Sequence, residues 1–231
     1  MSNSWSYLVA FHRHSLRDKF QAVISILDSQ GFTPINPVYS TIHIIPSDGY
    51  PESVFDITED AFSFILNHGG TMTFWKDDLD VSLWFGASDF DETIPIWTCS
   101  LSIDNVHFGS IETCVKLHSM LRNCYLHFCL RTEAVYGYIG DEIILEAAID
   151  RGWSISNSID SRKSIFLFLE NYFSDHFFSV AEIRGLNTTL MMVETLNNGT
   201  LIKLKAEPWN YTIEAVLEAT NIWAELSPNS N

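Results

Sequence analysis

The sequence predicts an α+β fold: an antiparallel β-meander and hairpins packed with about six helices. Three observations predict it. Short apolar runs with period-two alternation gather in two stretches, residues 71–103 and 177–206. Segments with apolar residues at helical spacing lie before, between and after them. The two kinds of element do not alternate regularly, as a doubly wound parallel sheet would require.

The elements follow in order. Residues 6–12 form a short apolar run that reads as a buried strand. Ser15 then reads as the cap of a helix reaching about Gln30, with Phe20, Val23, Ile24 and Leu27 on one stripe and Gly31 at its end. Pro34, Pro37 and Pro46 follow, and residues 38–45 between them read as an edge strand, since proline is confined to strand ends and edges. Thr58 reads as the cap of a second helix with Asp60 in its first turn; Gly69 and Gly70 stop it. Residues 71–76 and 79–85 flank Asp77-Asp78 as a hairpin, and residues 94–103 add a third strand. Gly109-Ser110 opens the longest helix, 111–130. Residues 135–139 read as a strand or a connection, and 141–151 as a helix. A further helix starts at Ser161 or Ser164 and runs to about Tyr172. Strands at 177–183, 189–196 and 200–206, with a turn at Asn197-Asn198-Gly199, precede a closing helix at 212–226. The 231 residues suit one domain, 1–231, or two sub-halves dividing near residue 131.

Charge is the strongest global feature. The formal net charge is −16, and between Phe20 and Val115 there are fourteen acidic residues against one basic residue, Lys76. Such a surface repels nucleic acid and anionic lipid and attracts basic proteins. No apolar run is long enough for a membrane span, and residues 1–7 lack the basic and apolar pattern of a signal peptide, so the chain reads as cytoplasmic. Cys99, Cys114, Cys124 and Cys129 form no C-x-x-C pair and read as free buried thiols. Cys114, His118, Leu121, Tyr125 and Cys129 share a helical stripe of core character, while Cys124 and His127 point elsewhere.

Two constellations invite a function. His12 and His14 form an H-x-H pair at a strand end, a partial metal site that lacks a third ligand at a predictable spacing. Asp77, Asp78, Asp80, Asp89, Asp91 and Glu92 form an acidic group near Trp75 and Trp84, with Trp97 on the third strand. Aromatics rimmed by carboxylates grip Lys and Arg through cation–π contacts and ion pairs. Signatures of nucleotide binding, serine hydrolases and zinc proteases are absent. The expected function is therefore a non-enzymatic acidic binding module for a basic protein, of the immunity type that covers a cationic nuclease toxin. No catalytic residue, metal or cofactor is expected in that reading. A metal-dependent hydrolase using His12 and His14, and a structural scaffold, are the alternatives.

Overall fold

The computed structural model describes residues 4–49, 51–87, 96–155, 165–175 and 190–226. Ten strands form one antiparallel sheet, with five α-helices among the described residues. The strands are β1 (Ser4–His12), β2 (Ile42–Pro46), β3 (Ser53–Phe55), β4 (Gly70–Lys76), β5 (Leu79–Ala87), β6 (Ile96–Asp104), β7 (Tyr136–Asp141), β8 (Glu170–Ser174), β9 (Met191–Leu196) and β10 (Gly199–Leu204). The helices are α1 (Leu16–Ser29), α2 (Thr58–His68), α3 (Ile111–Arg131), α4 (Glu142–Ile149) and α5 (Ile213–Leu226). The spatial order is β3-β2-β4-β5-β6-β1-β7-β8-β10-β9. β1 sits between the meander β4-β5-β6 and the strands of the later chain. It pairs with β6 from Ser4↔Asp104 to His12↔Ile96 and with β7 from Trp5↔Asp141 to Ala10↔Tyr136.

Side-chain alternation divides the sheet into two faces. One face carries Tyr7, Val9 and Phe11 of β1, Cys99 and Leu101 of β6, and Met72, Phe74, Leu83 and Phe85 of the hairpin, all buried. Helices α1, α2 and α3 pack there, with Phe20 of α1 against Phe85 at 4.8 Å and Phe62 of α2 at 5.4 Å. On the opposite face, α4 and α5 lie over the later strands: Trp223 of α5 stacks on Phe173 of β8 at 5.6 Å.

Helix ends follow local chemistry. Ser110 accepts a hydrogen bond from the Thr113 N–H and Asp141 from the Ile144 N–H, each satisfying an orphan donor of the first turn. Gly31, at φ +83°, ends α1, and the Phe32 N–H returns to the Leu27 carbonyl.

Several expectations are corrected. Ser15 stands before α1 but has φ +54° and makes no side-chain capping bond. Thr58 is the first residue of α2, whose cap is Ile57. The strand foreseen at 38–45 begins at Ile42 and is internal to the sheet; the three-residue β3, unforeseen, is the edge. The helix foreseen up to Tyr172 is not one: residues 165–169 are not helical and Glu170–Ser174 is β8, buried along its whole length between β7 and β10. Buried strands lose the period-two signature, which is why this run read as a helix. Cys124 is buried with the rest of the α3 core and does not point elsewhere. The strand foreseen at 177–183 lies outside the described residues. All four cysteines are free and buried. No described helix is long and apolar enough to cross a membrane.

Candidate functional site: the open face of the meander

Helices α1 to α3 occupy one side of β2, β4, β5 and β6. The other side carries Thr71, Thr73 and Trp75 of β4, opposite Trp84, Ser82 and Asp80 of β5. The rows continue across the sheet. Ser82 faces Ser102 of β6, which faces Ser6 of β1. Trp84 faces Ser100, which faces Leu8, which faces Tyr138 of β7. This face is therefore a field of small hydroxyls crossed by aromatic rings, in which Ser100 and Thr98 are buried and Ser6, Ser82 and Ser102 half-buried. Both Trp75 and Trp84 are half-buried, so each keeps part of its ring toward solvent. Trp97 lies on the opposite, helix-covered face, where its ring packs at 5.5 Å from Phe85.

Of the residues foreseen as a binding group, the hairpin brings Trp75 and Asp80 directly opposite each other. Trp84 is on the same face, four positions or about 13 Å along β5 at the usual strand rise. Asp77 and Asp78 form the turn, Asp77 at φ +54°. Asp89, Asp91 and Glu92 lie outside the described residues. The sequence read all six acids as one group; of that group the described residues hold only Asp77, Asp78 and Asp80, and the described chain leaves β5 at Ala87, about 23 Å from Asp80 by strand rise.

The acids at the turn are not alone. His107 Nε2 lies 3.1 Å from Asp80 Oδ1. Asp77 and Asp78 line a hollow of about 590 Å³ together with Lys76, His107 and Lys116. Lys76 itself donates to the Gln30 carbonyl at 2.6 Å. Lys76 and Lys116 thus offset part of the field of this turn.

A cavity of about 430 Å³ opens in the same face between the sheet and α4, lined among others by Ser100, Thr98, Leu8, Trp84, Leu145 and Trp153. Trp84 is held there: its Nε1–H donates to Thr98 Oγ1 at 3.0 Å. The lack of a side chain at Gly86 lets the indole lie close to the strand, since a Cβ there would meet the ring at 2.9 Å. Sequence reading missed the serines and Trp153, because serine in a strand gives no signal until the cross-strand rows are known.

The His12–His14 pair has a different environment. The rings are 6.3 Å apart, and His14 Nε2 is 3.0 Å from Glu133 Oε2. Lys19, buried at 3 % exposure, donates to the His12 carbonyl at 3.1 Å and lies 3.5 Å from His14 Nε2. Burial, then the charges of His14 and Lys19, hold the His12 pKa below its ordinary value. An ammonium thus stands beside the histidines, where a divalent cation would be repelled. Among the described residues no group of three or more His, Cys, Asp or Glu is arranged to hold a metal ion.

No family model matches this sequence, and no curated protein does. Among solved structures, the chain is similar to one titled the Pseudomonas aeruginosa T6SS protein PA0821. The TM-score is 0.54 at 8 % identity, over 97 % of this chain and 73 % of that one. The likeness is one of fold.

Proposed function

We propose that this chain is a non-enzymatic binding protein of the immunity type, which neutralises a basic protein such as a cationic nuclease toxin by covering it. The observation that carries the reading is the meander face: rows of hydroxyls with Trp75 and Trp84, and Asp80 opposite Trp75, on a chain of net charge −16. Half-exposed tryptophans supply large rigid contact area, and negative charge steers a cationic partner to it. The fold likeness to a protein titled as a T6SS component adds the setting in which we place this binder. Under this reading it works in the cytoplasm of the cell that makes it.

The test is kinetic, with a basic protein that co-purifies with the chain at low salt and is released at high salt as partner. Asp78, Asp80, Asp89 and Asp91 are replaced together by Asn. Association slows by at least about tenfold at low salt, the low end of electrostatic steering, and loses most of its salt dependence. An unchanged rate and salt slope would mean that the acids serve solubility alone. A second variant, Trp84→Ser, leaves the charge intact and accelerates dissociation instead.

A further inference from the structure

We infer that the β3 edge of the sheet is where the basic partner joins it, by adding a strand that carries Lys or Arg on both sides of an apolar residue. The inference rests on the binding role proposed above and names the segment the partner supplies. It is carried by the backbone geometry and the flanking charge at Val54.

β3 pairs with β2 and ends the ten-stranded order on that side. Which of its backbone groups face outward follows from β2. Pro46, opposite Gly70, has no N–H, so that pair cannot be a hydrogen-bonded one. Ile45, one residue earlier, bonds to β4 instead: its carbonyl faces that strand, where a Cβ on Gly70 would collide with it. Backbone groups alternate in direction along a strand, so those of Ile44 and Ile42 face β3. Their partners Ser53 and Phe55 point back at them. The N–H and C=O of Val54 are left pointing away from the sheet, and among the described residues no strand pairs with them there. An edge that presents an unpaired donor and acceptor is the template that strand addition uses.

The Val54 side chain is 55 % exposed and continues the open face of the meander. It stands opposite His43, two positions from Ile45, which is opposite Thr71, itself opposite Trp84. Ile45 is exposed, and so is Tyr39, whose ring lies 6.2 Å from that of His43. Val54, Ile45 and Tyr39 thus form an apolar strip at the edge of the face that holds Trp84. A strand added at β3 extends that face.

Charge decides the occupant. Glu52 and Asp56, both exposed, stand immediately before and after β3, and Asp48 is exposed in the β2–β3 connection. Glu52 Oε1 lies 3.0 Å from His43 Nδ1, which leaves its second oxygen to an incoming group. The one Lys or Arg between Phe20 and Val115 is Lys76, at the far end of β4. In antiparallel addition, the mode of the neighbouring pairs, positions i and i+4 of the new strand come beside the two carboxylates and i+2 stands opposite Val54. A second copy of β3 in that register sets Glu52 against Asp56 twice, and like charges directly opposite repel. Lys or Arg at both positions pairs each carboxylate instead. The flanks therefore reject self-association and select a cationic strand.

The experiment titrates the full chain with acetyl-Lys-Thr-Val-Thr-Lys-amide and follows the backbone amide of Val54 by NMR. Three companion peptides separate the causes: one with Glu for both Lys, one with an N-methyl group on the central Val, and one with an N-methyl group on the first Thr. We expect the Lys peptide to shift the Val54 amide and to bind about fivefold or more tightly than the Glu peptide at low salt, an advantage that fades at high salt. The methyl on the central Val removes the donor that faces Val54 and weakens binding about tenfold, while the methyl on Thr, whose N–H faces away from β3, changes it by less than about twofold. Glu52→Gln together with Asp56→Asn, both at exposed positions, abolishes the preference for the Lys peptide and leaves the contrast between the two methyl groups in place. An unmoved Val54 amide, or equal effects of the two methyl groups, overturns strand addition. Binding blind to the charge of the peptide overturns the cationic occupant. A dimer of the parent chain in sedimentation that Val54→Lys dissolves overturns it in favour of a second copy. The charge-steering test alters none of these residues, so the two readings fail separately.

Discussion

Both carboxylate oxygens of Glu170 accept from the single Nε–H of Arg122, at 2.6 and 2.8 Å, across the interface between β8 and α3. Glu170 is fully buried, and Lys203 of β10 stands 3.6 Å away on the same side. Removing one member of such a group strands the other charge in a dry site. Glu170→Ala and Arg122→Ala should each lower stability by about 3–5 kcal/mol. The double change to Met and Met should recover most of that loss, because two apolar side chains leave nothing unpaired. Denaturant melts of the three variants check this. Equal losses in the double and single variants would contradict it.

His118 gives a pH dependence. It is buried on α3 and its Nδ1 lies 2.9 Å from the Tyr7 hydroxyl. Burial, with Lys203 and Arg122 nearby, lowers its pKa from 6.5 to about 4. Between those values the unfolded chain binds a proton that the folded chain refuses. Stability from this group is therefore complete above pH 6.5 and is lost as pH falls toward 4, by about 3 kcal/mol at most. His118→Gln should flatten the acid limb of the stability profile over that window. A profile identical to the parent would show that other groups set it.

Glu133 closes α3 in the left-handed region, φ +54°, where the Ala134 N–H returns to the Cys129 carbonyl. That position favours glycine by about 1 kcal/mol. The His14–Glu133 pair it supports is solvent-exposed on both sides and contributes little, while the same carboxylate lies 3.8 Å from the buried Lys19 ammonium. Glu133→Gly relieves the backbone but removes the carboxylate beside buried Lys19, so the melting temperature should stay within a few degrees of the parent, and His14→Ala should change stability by about 1 kcal/mol or less. A marked loss on either change would assign the pair a structural role.

How much of this was legible in the sequence follows from periodicity. The hairpin of Thr71 to Phe85 alternates cleanly, because one side faces helices and the other does not, and the same alternation put Trp75, Asp80 and Trp84 on one face. Gly31 and Ser110 announced helix ends by local chemistry alone. The run Leu169–Phe173 failed because its neighbours bury it on both sides, leaving no polar phase to read. Ser6, Ser100 and Ser102 meet only through a strand order in which β1 lies beside β6, a long-range fact. The placement of Lys116 in one hollow with Asp77 and Asp78 is long-range for the same reason.

The central place of β1 has a consequence for how the chain is made. Val9 faces Cys99 on one side and Gly137 on the other, partners synthesised 90 and 128 residues later. At about 5–20 residues per second, β1 waits roughly 6 to 25 seconds after synthesis for its second neighbour. Until β6 emerges this apolar strand has both edges unpaired, and until β7 emerges it has one, the kind of segment that chaperones hold and that aggregates when they do not. Chains halted on the ribosome once β6 has left the exit tunnel and before β7 has should protect β1 from protease on the β6 pairing alone, and chains halted before residue 96 should not. The timing of this molecule's birth is thus marked by its first strand, which waits longest of the ten for its second neighbour.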